Sequence, residues 1–331
     1  MAVTNFIQTI WSKKIQDSLE MKTKLINNCT REYEGNCQYA QTVKILGVGD
    51  PVISGYHGVV DYEDMNDLGQ NLLIAFAEYF SFAVKDIDKA QSVPGLPGKY
   101  QQKAVSRLAQ RRDINIGRLV AGKCVTTLNE GTATYTKTSD SAILDYKDYF
   151  VQKTVNGTTF YQRVPKPKVD DIGNYYEITS CTYETGASNV TTATGKTQAL
   201  VKSAIDTAIV ELRKRNFDDS GVIEIDPETY SIFKNNLVEL STNNPELIRK
   251  GIVGMYDNFE VIMSNAIYHD ASYHYCICRS KTAIAFAGQI NEVESLRLQN
   301  SFSDGIRGLD TYGMKIIAQD ELQAIKIPVT A

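Results

Sequence analysis

Residues 192–197 (TATGKT) end in the Gly-Lys-Thr of a phosphate-binding loop, where backbone N–H groups cradle phosphate oxygens and the lysine reaches the outer ones. The full pattern needs a glycine five positions before Gly195, and Val190 stands there. It also needs a buried strand just ahead, and SNVTTA does not read as one, so a flexible lead into a helix N-terminus is expected. His269, His274, Cys276 and Cys278 offer imidazole and thiolate to a soft metal. On an extended strand, however, His274, Cys276 and Cys278 fall on one face, with Tyr273, Tyr275 and Ile277 on the other. Structural zinc sites usually draw on two knuckles, or on a cysteine pair and a distant histidine pair, so here the cysteines read as small hydrophobes of a core strand. The chain holds three histidines, and His57 lies in a glycine loop far in sequence from the other two. Neither a G-x-S-x-G elbow nor an H-E-x-x-H pair occurs. Asp86 and Asp88 are spaced for one strand face and suit salt bridges to a neighbour. No catalytic residue, cofactor or metal site is therefore expected, and the chain does not read as an enzyme.

The residues that remain must be explained by packing. In NLLIAFAEYFSFAVKDID, the side chains of Leu72, Ile74, Phe76, Phe80, Phe82 and Val84 recur at period two, which predicts one long strand with a single interruption at Glu78. SVPGLPG then stops the strand, because Pro94 and Pro97 cannot donate to a ladder. From Lys99 the period becomes helical. Val105, Leu108, Ala109, Ile116, Leu119 and Val120 form one apolar stripe, Arg107, Arg111 and Arg118 stand opposite, and Gly122 is the expected stop. A strand so long and aromatic makes a poor lone edge and must be covered.

At 331 residues, with 43% hydrophobic and 22% charged residues, the chain is globular and long enough for more than one compact unit. Its formal net charge of -4 lacks the basic excess of a protein that grips phosphates. Six dispersed cysteines do not make a small disulfide scaffold. No stretch is apolar enough for a signal peptide or a membrane span, so a soluble compartment is expected.

Residues 4–28 read as a helical arm with Ile7, Trp11, Ile15 and Leu19 at four-residue spacing. A short strand at 42–45, a glycine-rich loop and a return at 59–62 follow. From 126 to 194 the chain is rich in Thr and Tyr. DYFVQKTVNGTTFYQRV predicts a hairpin about Asn156-Gly157, and GNYYEITSCTYE another strand. Beyond it, Val201, Ala204, Ile205, Ala208 and Leu212 make a helix stripe, GVIEID a buried strand, and Asp226-Pro227 a helix start with Tyr230, Phe233 and Leu237 on its inner face. NFEVIMSN and SYHYCICR are further strands.

AEYFSFAVKDIDKAQS, followed by a Gly/Pro break and a long helix, resembles the end of the extended loop and the start of the spine helix in tailed-phage major capsid proteins. The closing stretch carries A-x-A-F, Q-I-x-x-V-E, F-x-D and G-L-x-x-Y-G-x-K in the order of that family. The resemblance implies an α+β chain with the Hong Kong 97 phage capsid fold and an inserted β-domain. It divides the chain into an N-terminal arm (1–41), an extended β loop (42–98), the spine helix of a peripheral domain (99–125), an inserted β-rich domain (126–194), and an axial domain with return strands of the peripheral domain (195–331). It implies self-assembly through pentamers and hexamers into an icosahedral shell around double-stranded DNA, in a virion assembled in the host cytoplasm. Scaffolding, portal and decoration proteins are the implied partners, with no sequence-specific DNA binding, no membrane, and no scaffolding segment fused ahead of Trp11. The assembly contacts to expect are Trp11, Phe76, Phe80, Phe82, Arg107, Arg111 and Arg118. Two alternatives stay open: a protein nanocompartment of the same fold that encloses an enzyme, and a cytosolic nucleotide- or metal-dependent enzyme built on residues 196–330.

Overall fold

The apolar run around Phe76 forms two strands where its period predicts one. The computed structural model describes residues 24–34, 42–48, 67–85, 96–125, 133–155, 157–164, 167–181, 183–217, 220–239, 254–297 and 303–329. In it β2 (Asp67–Leu73) and β3 (Phe76–Lys85) are separated at residues 74–75. The chain crosses there over Gly313, where an added Cβ would lie 2.5 Å from the Leu73 carbonyl oxygen. A count of alternating residues cannot register such a crossing. β2 pairs antiparallel with β1 (Thr42–Val48), setting Val43 opposite Leu72. The return expected at 59–62 lies outside the described residues, and the pairing to 42–45 comes from 70–73. Val43, Ile45, Leu72 and Ile74 form the buried face of this ribbon, against Ala285 and Ala287.

β3 continues into a three-stranded sheet with β13 (Ile284–Arg297) and β14 (Ser303–Ile316), in the order β13-β14-β3. Phe76 stands opposite Tyr312 and Phe80 opposite Gly308, and the β13–β14 ladder shifts register between Ile290 and Glu292. Helix α1 (Leu96–Val120) starts ahead of Lys99 because Pro97 occupies its first turn, where a missing N–H leaves no bond unmade. Leu108, Ala109, Ile116, Leu119 and Val120 of its predicted stripe are buried, while the side chain of Val105 lies outside the described set. Gly122 adopts φ +67°, the left-handed stop the sequence called for. Behind α1, a Cβ on Gly117 would meet the Ala266 carbonyl oxygen at 2.5 Å. Gly117→Ala should therefore cost about 1–3 kcal/mol despite alanine's better helix propensity. An unchanged or raised thermal midpoint would contradict this close approach.

Between residues 133 and 180 runs a four-stranded antiparallel sheet of β4 (Thr134–Lys137), β5 (Phe150–Val155), β6 (Thr158–Arg163) and β7 (Tyr176–Ser180), in the order β4-β7-β5-β6. The β5–β6 hairpin closes with Val155 opposite Thr158, and Gly157 supplies φ +80°. The SNVTTA segment, which does not read as a strand, contains β8 (Val190–Thr192), parallel to β15 (Leu322–Pro328). As a three-residue edge with Val190 exposed, β8 lacks the apolar run of a central strand.

β8 completes a six-stranded sheet ordered β10-β11-β9-β12-β15-β8, with β9 (Gly221–Ile225), β10 (Met255–Tyr256), β11 (Phe259–Met263) and β12 (Tyr273–Arg279). Helices α2 (Gln198–Lys214) and α3 (Pro227–Glu239) pack on it, burying Val201, Ala204, Ile205, Ala208 and Leu212 of the predicted stripe, with Phe233 from α3. β12 divides two cores: Cys276 and Cys278 face α2 and α3, while Ile277 joins Ile116, Leu119, Phe286, Tyr312 and Met314 on the other side. The cysteines are thus core residues, and burial pushes both thiols upward, out of thiolate chemistry. The arm predicted over residues 4–28 is described only from Lys24, where it is not α-helical: Ile26–Asn28 form a 3-10 turn. No helix among the described residues is long and apolar enough to cross a membrane.

Candidate functional site

Glu78, the acid that interrupts the apolar period of β3, faces helix α1. Arg111 Nε donates to Glu78 Oε1 at 2.9 Å, and Asn115 Nδ2 donates to the Tyr312 hydroxyl at 2.7 Å. One turn away, Arg112 Nε donates to Asp310 Oδ2 at 2.8 Å, a buried pair, with its guanidinium 5.4 Å from the Phe286 ring centroid. The three-stranded sheet is therefore held to α1 by charged pairs as well as by apolar area.

Arg111 and Arg118 converge with Arg163 of β6 on one carboxylate, Asp148. Arg163 Nε donates to Asp148 Oδ1 at 2.7 Å, Arg111 Nη1 lies 3.8 Å from the same oxygen, and Arg118 pairs with Oδ2. Burial pushes the Asp148 carboxyl upward, but the charges of Arg111, Arg118 and Arg163 outweigh it and hold the group well below the usual carboxylate range. This cluster joins α1, β3 and the four-stranded sheet.

The remaining candidates divide by exposure. Phe76 stacks on Tyr312 with centroids 5.2 Å apart, and Phe80 and Phe82 stack on each other at 6.2 Å. Phe80 lies over Gly308, where an added Cβ would come within 2.5 Å of its ring. All three phenylalanines are half-buried. Arg107 is exposed and donates to Gln110 Oε1 at 3.2 Å. Trp11 lies outside the described residues. The opposite face of the sheet carries exposed apolar groups that period two on β3 gave no reason to single out: Tyr79, 62% exposed and opposite Leu309 in register, with Leu309 and Leu296 each 42% exposed. The signal was present in AEYFSF, where an aromatic residue occurs on both faces.

A second constellation fixes residues 24–28. Fully buried Arg279 donates through Nε and Nη2 to Glu224 at 3.1 and 2.8 Å, through Nη1 to the Asn28 carbonyl at 2.6 Å, and through Nη2 to the Leu25 carbonyl at 3.0 Å. From α1, Asp113 accepts the Lys24 and Ile26 backbone N–H groups at 3.0 and 3.4 Å. Burial pushes the neighbouring Cys29 thiol up to about 11.

The TATGKT segment and the residues around His274 are engaged in local contacts. Lys196 of TATGKT donates to Glu228 Oε2 at 2.7 Å and to the Val329 carbonyl at 2.8 Å. Asp226 Oδ2 caps α3 by accepting the N–H groups of Glu228 and Thr229, both at 3.1 Å, as the Asp-Pro start predicts. His274 Nδ1 stands 3.8 Å from Asp226 Oδ2, and its strand-mate Cys276 donates through Sγ to Asp226 Oδ1 at 3.5 Å. Burial lowers the affinity of its imidazole for a proton.

No protein-family model and no curated protein matches the chain. Solved structures do. A structure from Mycobacterium phage Che8 aligns over 92% of this chain and 90% of its own, with TM-score 0.65 and 20% identity. The capsid of cyanophage P-SCSP1u aligns over 89% and 85%, with TM-score 0.60 and 11% identity. The chain has the phage capsid fold. A third neighbour, the capsid of Ralstonia phage GP4, covers 91% of this chain and 87% of its own, with TM-score 0.53 and 12% identity. The capsid fold here is α+β, as the motifs of the closing stretch imply. In this fold the Asp148 cluster and the Arg279 cluster serve as internal fastenings. On the exposed face of β3 and β14, Gln162 Nε2 donates to the Tyr79 hydroxyl at 3.0 Å.

Proposed function

We propose that the chain is a major capsid protein that assembles through pentamers and hexamers into an icosahedral shell around double-stranded DNA. The observation that carries this reading is the likeness to a phage capsid along 89% of the chain, far beyond what one shared motif would give. In that reading residues 42–98 form the extended loop, α1 is the spine helix, residues 126–194 are an insert, and the six-stranded sheet belongs to the axial domain. Head-to-tail contacts close into rings, and a subunit held by many neighbours gains avidity from contacts that are individually modest. The apolar edge of β3, with Phe80 and Phe82, and Arg107 on the exposed side of α1 are the proposed contacts, with Trp11 in the arm. Scaffolding, portal and decoration proteins are the proposed partners.

Phe80→Asp should then block assembly and leave a soluble subunit, as read by sedimentation of the purified variant. Normal particles from it would count against the contact assignment. Cargo is tested separately, by extracting nucleic acid from nuclease-treated particles of the virus. Protected double-stranded DNA supports the proposal, and particles that protect only protein favour a nanocompartment.

A further inference from the structure

Asp226, Glu228 and His274 form a group of metal-ligating residue types whose donor atoms all lie within 4.8 Å of one another. The carboxylates come from the first turn of α3 and its cap, and the imidazole from β12. His274 Nδ1 stands 3.8 Å from Asp226 Oδ2, and Nε2 stands 4.0 Å from Glu228 Oε2. The Nε2 atom is buried and has no hydrogen-bond partner. A shielded ring nitrogen facing a carboxylate at more than bonding distance leaves room for a cation between them.

Two further observations bear on that space. The ring of His269 lies 5.5 Å from that of His274, centroid to centroid, and its Nε2 is 3.2 Å from Asp145 Oδ1. A cation also already approaches the group, since the Lys196 ammonium sits 2.7 Å from Glu228 Oε2. We propose that Asp226, Glu228 and His274 bind a divalent transition metal of the zinc class, with Lys196 displaced toward solvent and water completing the coordination. Imidazole nitrogen selects zinc, cobalt or nickel over magnesium and calcium, which prefer all-oxygen sites. Bonds of about 2.0–2.2 Å set tetrahedral donors roughly 3.4 Å apart, so donors that now lie within 4.8 Å of one another must close by up to about 1.5 Å. Glu228, 66% exposed at its side chain, is free to make that movement. The bound metal would tie the start of α3 to β12.

The test is a zinc titration of the full chain by calorimetry, with visible spectra of the cobalt-loaded protein. One ion should bind per chain. His274→Gln and Glu228→Gln should each weaken it about tenfold or more, and Lys196→Met should tighten it by removing the competing cation. Glu228→Gln alters an exposed side chain, so it reports on the site even if His274→Gln misfolds. Cobalt should give d–d bands without a thiolate charge-transfer band. Absence of stoichiometric binding, equal affinity in Glu228→Gln, or a thiolate band would overturn the assignment. The readout is per chain, free or assembled, so its failure leaves the capsid proposal untouched.

Discussion

Replacing Arg279 with methionine should destabilise the chain by about 3–5 kcal/mol, a large share of the roughly 5–15 kcal/mol that holds a typical domain folded. The guanidinium and its partner Glu224 are both fully inaccessible to solvent. Methionine fills much of the volume but leaves a buried carboxylate with no cation and removes the donors that meet the Leu25 and Asn28 carbonyls. An orphaned buried charge costs far more than a lost surface pair. The double variant Arg279→Met, Glu224→Met removes both charges, and it should recover a large part of the loss. Urea unfolding of the three proteins reads this directly. If the single variant shifts the midpoint no more than a surface substitution would, the buried pair is not the fastening described here.

Asp148→Asn should cost about 3 kcal/mol, because three arginines then share a site whose one common carboxylate has gone. The loss should be local. Hydrogen exchange ought to quicken in β5 and β6, which the Asp148–Arg163 pair secures beside α1, while β9 and β12 keep their protection. The same group gives a pH signature. Its folded carboxyl titrates below the ordinary value of 3.8, so its contribution is present above about pH 4 and is lost as pH falls through the lower folded value. Wild-type protein should thus lose stability below pH 4 more steeply than Asp148→Asn. Parallel acid-unfolding curves would contradict the charge network.

Much of the architecture could be read from local pattern. The α2 stripe, the Asp226 cap with Pro227, the hairpin around Gly157 and the two-faced β12 all rest on neighbours within one or two turns of chain, and each stands where its spacing placed it. What could not be read depends on distant partners. Arg279 at the end of SYHYCICR resembles an ordinary strand-end charge, and only the fold sets it against Glu224 and the carbonyls near Asn28. Asp148 lies in DYKDYF, where nothing nearby announces three arginines from other elements. The break at residues 74–75 comes from a crossing over Gly313, and β8 escapes a search for apolar runs because it is a short exposed edge. The Asp226–Glu228–His274 group is hidden in the same way. Strand spacing groups His274 with Cys276 and Cys278, whereas the fold also sets it beside Asp226 and Glu228.

The most direct test of the capsid proposal is negative-stain electron microscopy of the purified protein over a concentration series, with light scattering to give particle mass. The proposal predicts rings of five or six subunits, tubes or closed shells, with masses that are large multiples of the chain. A particle with the mass of one chain at every concentration would contradict it.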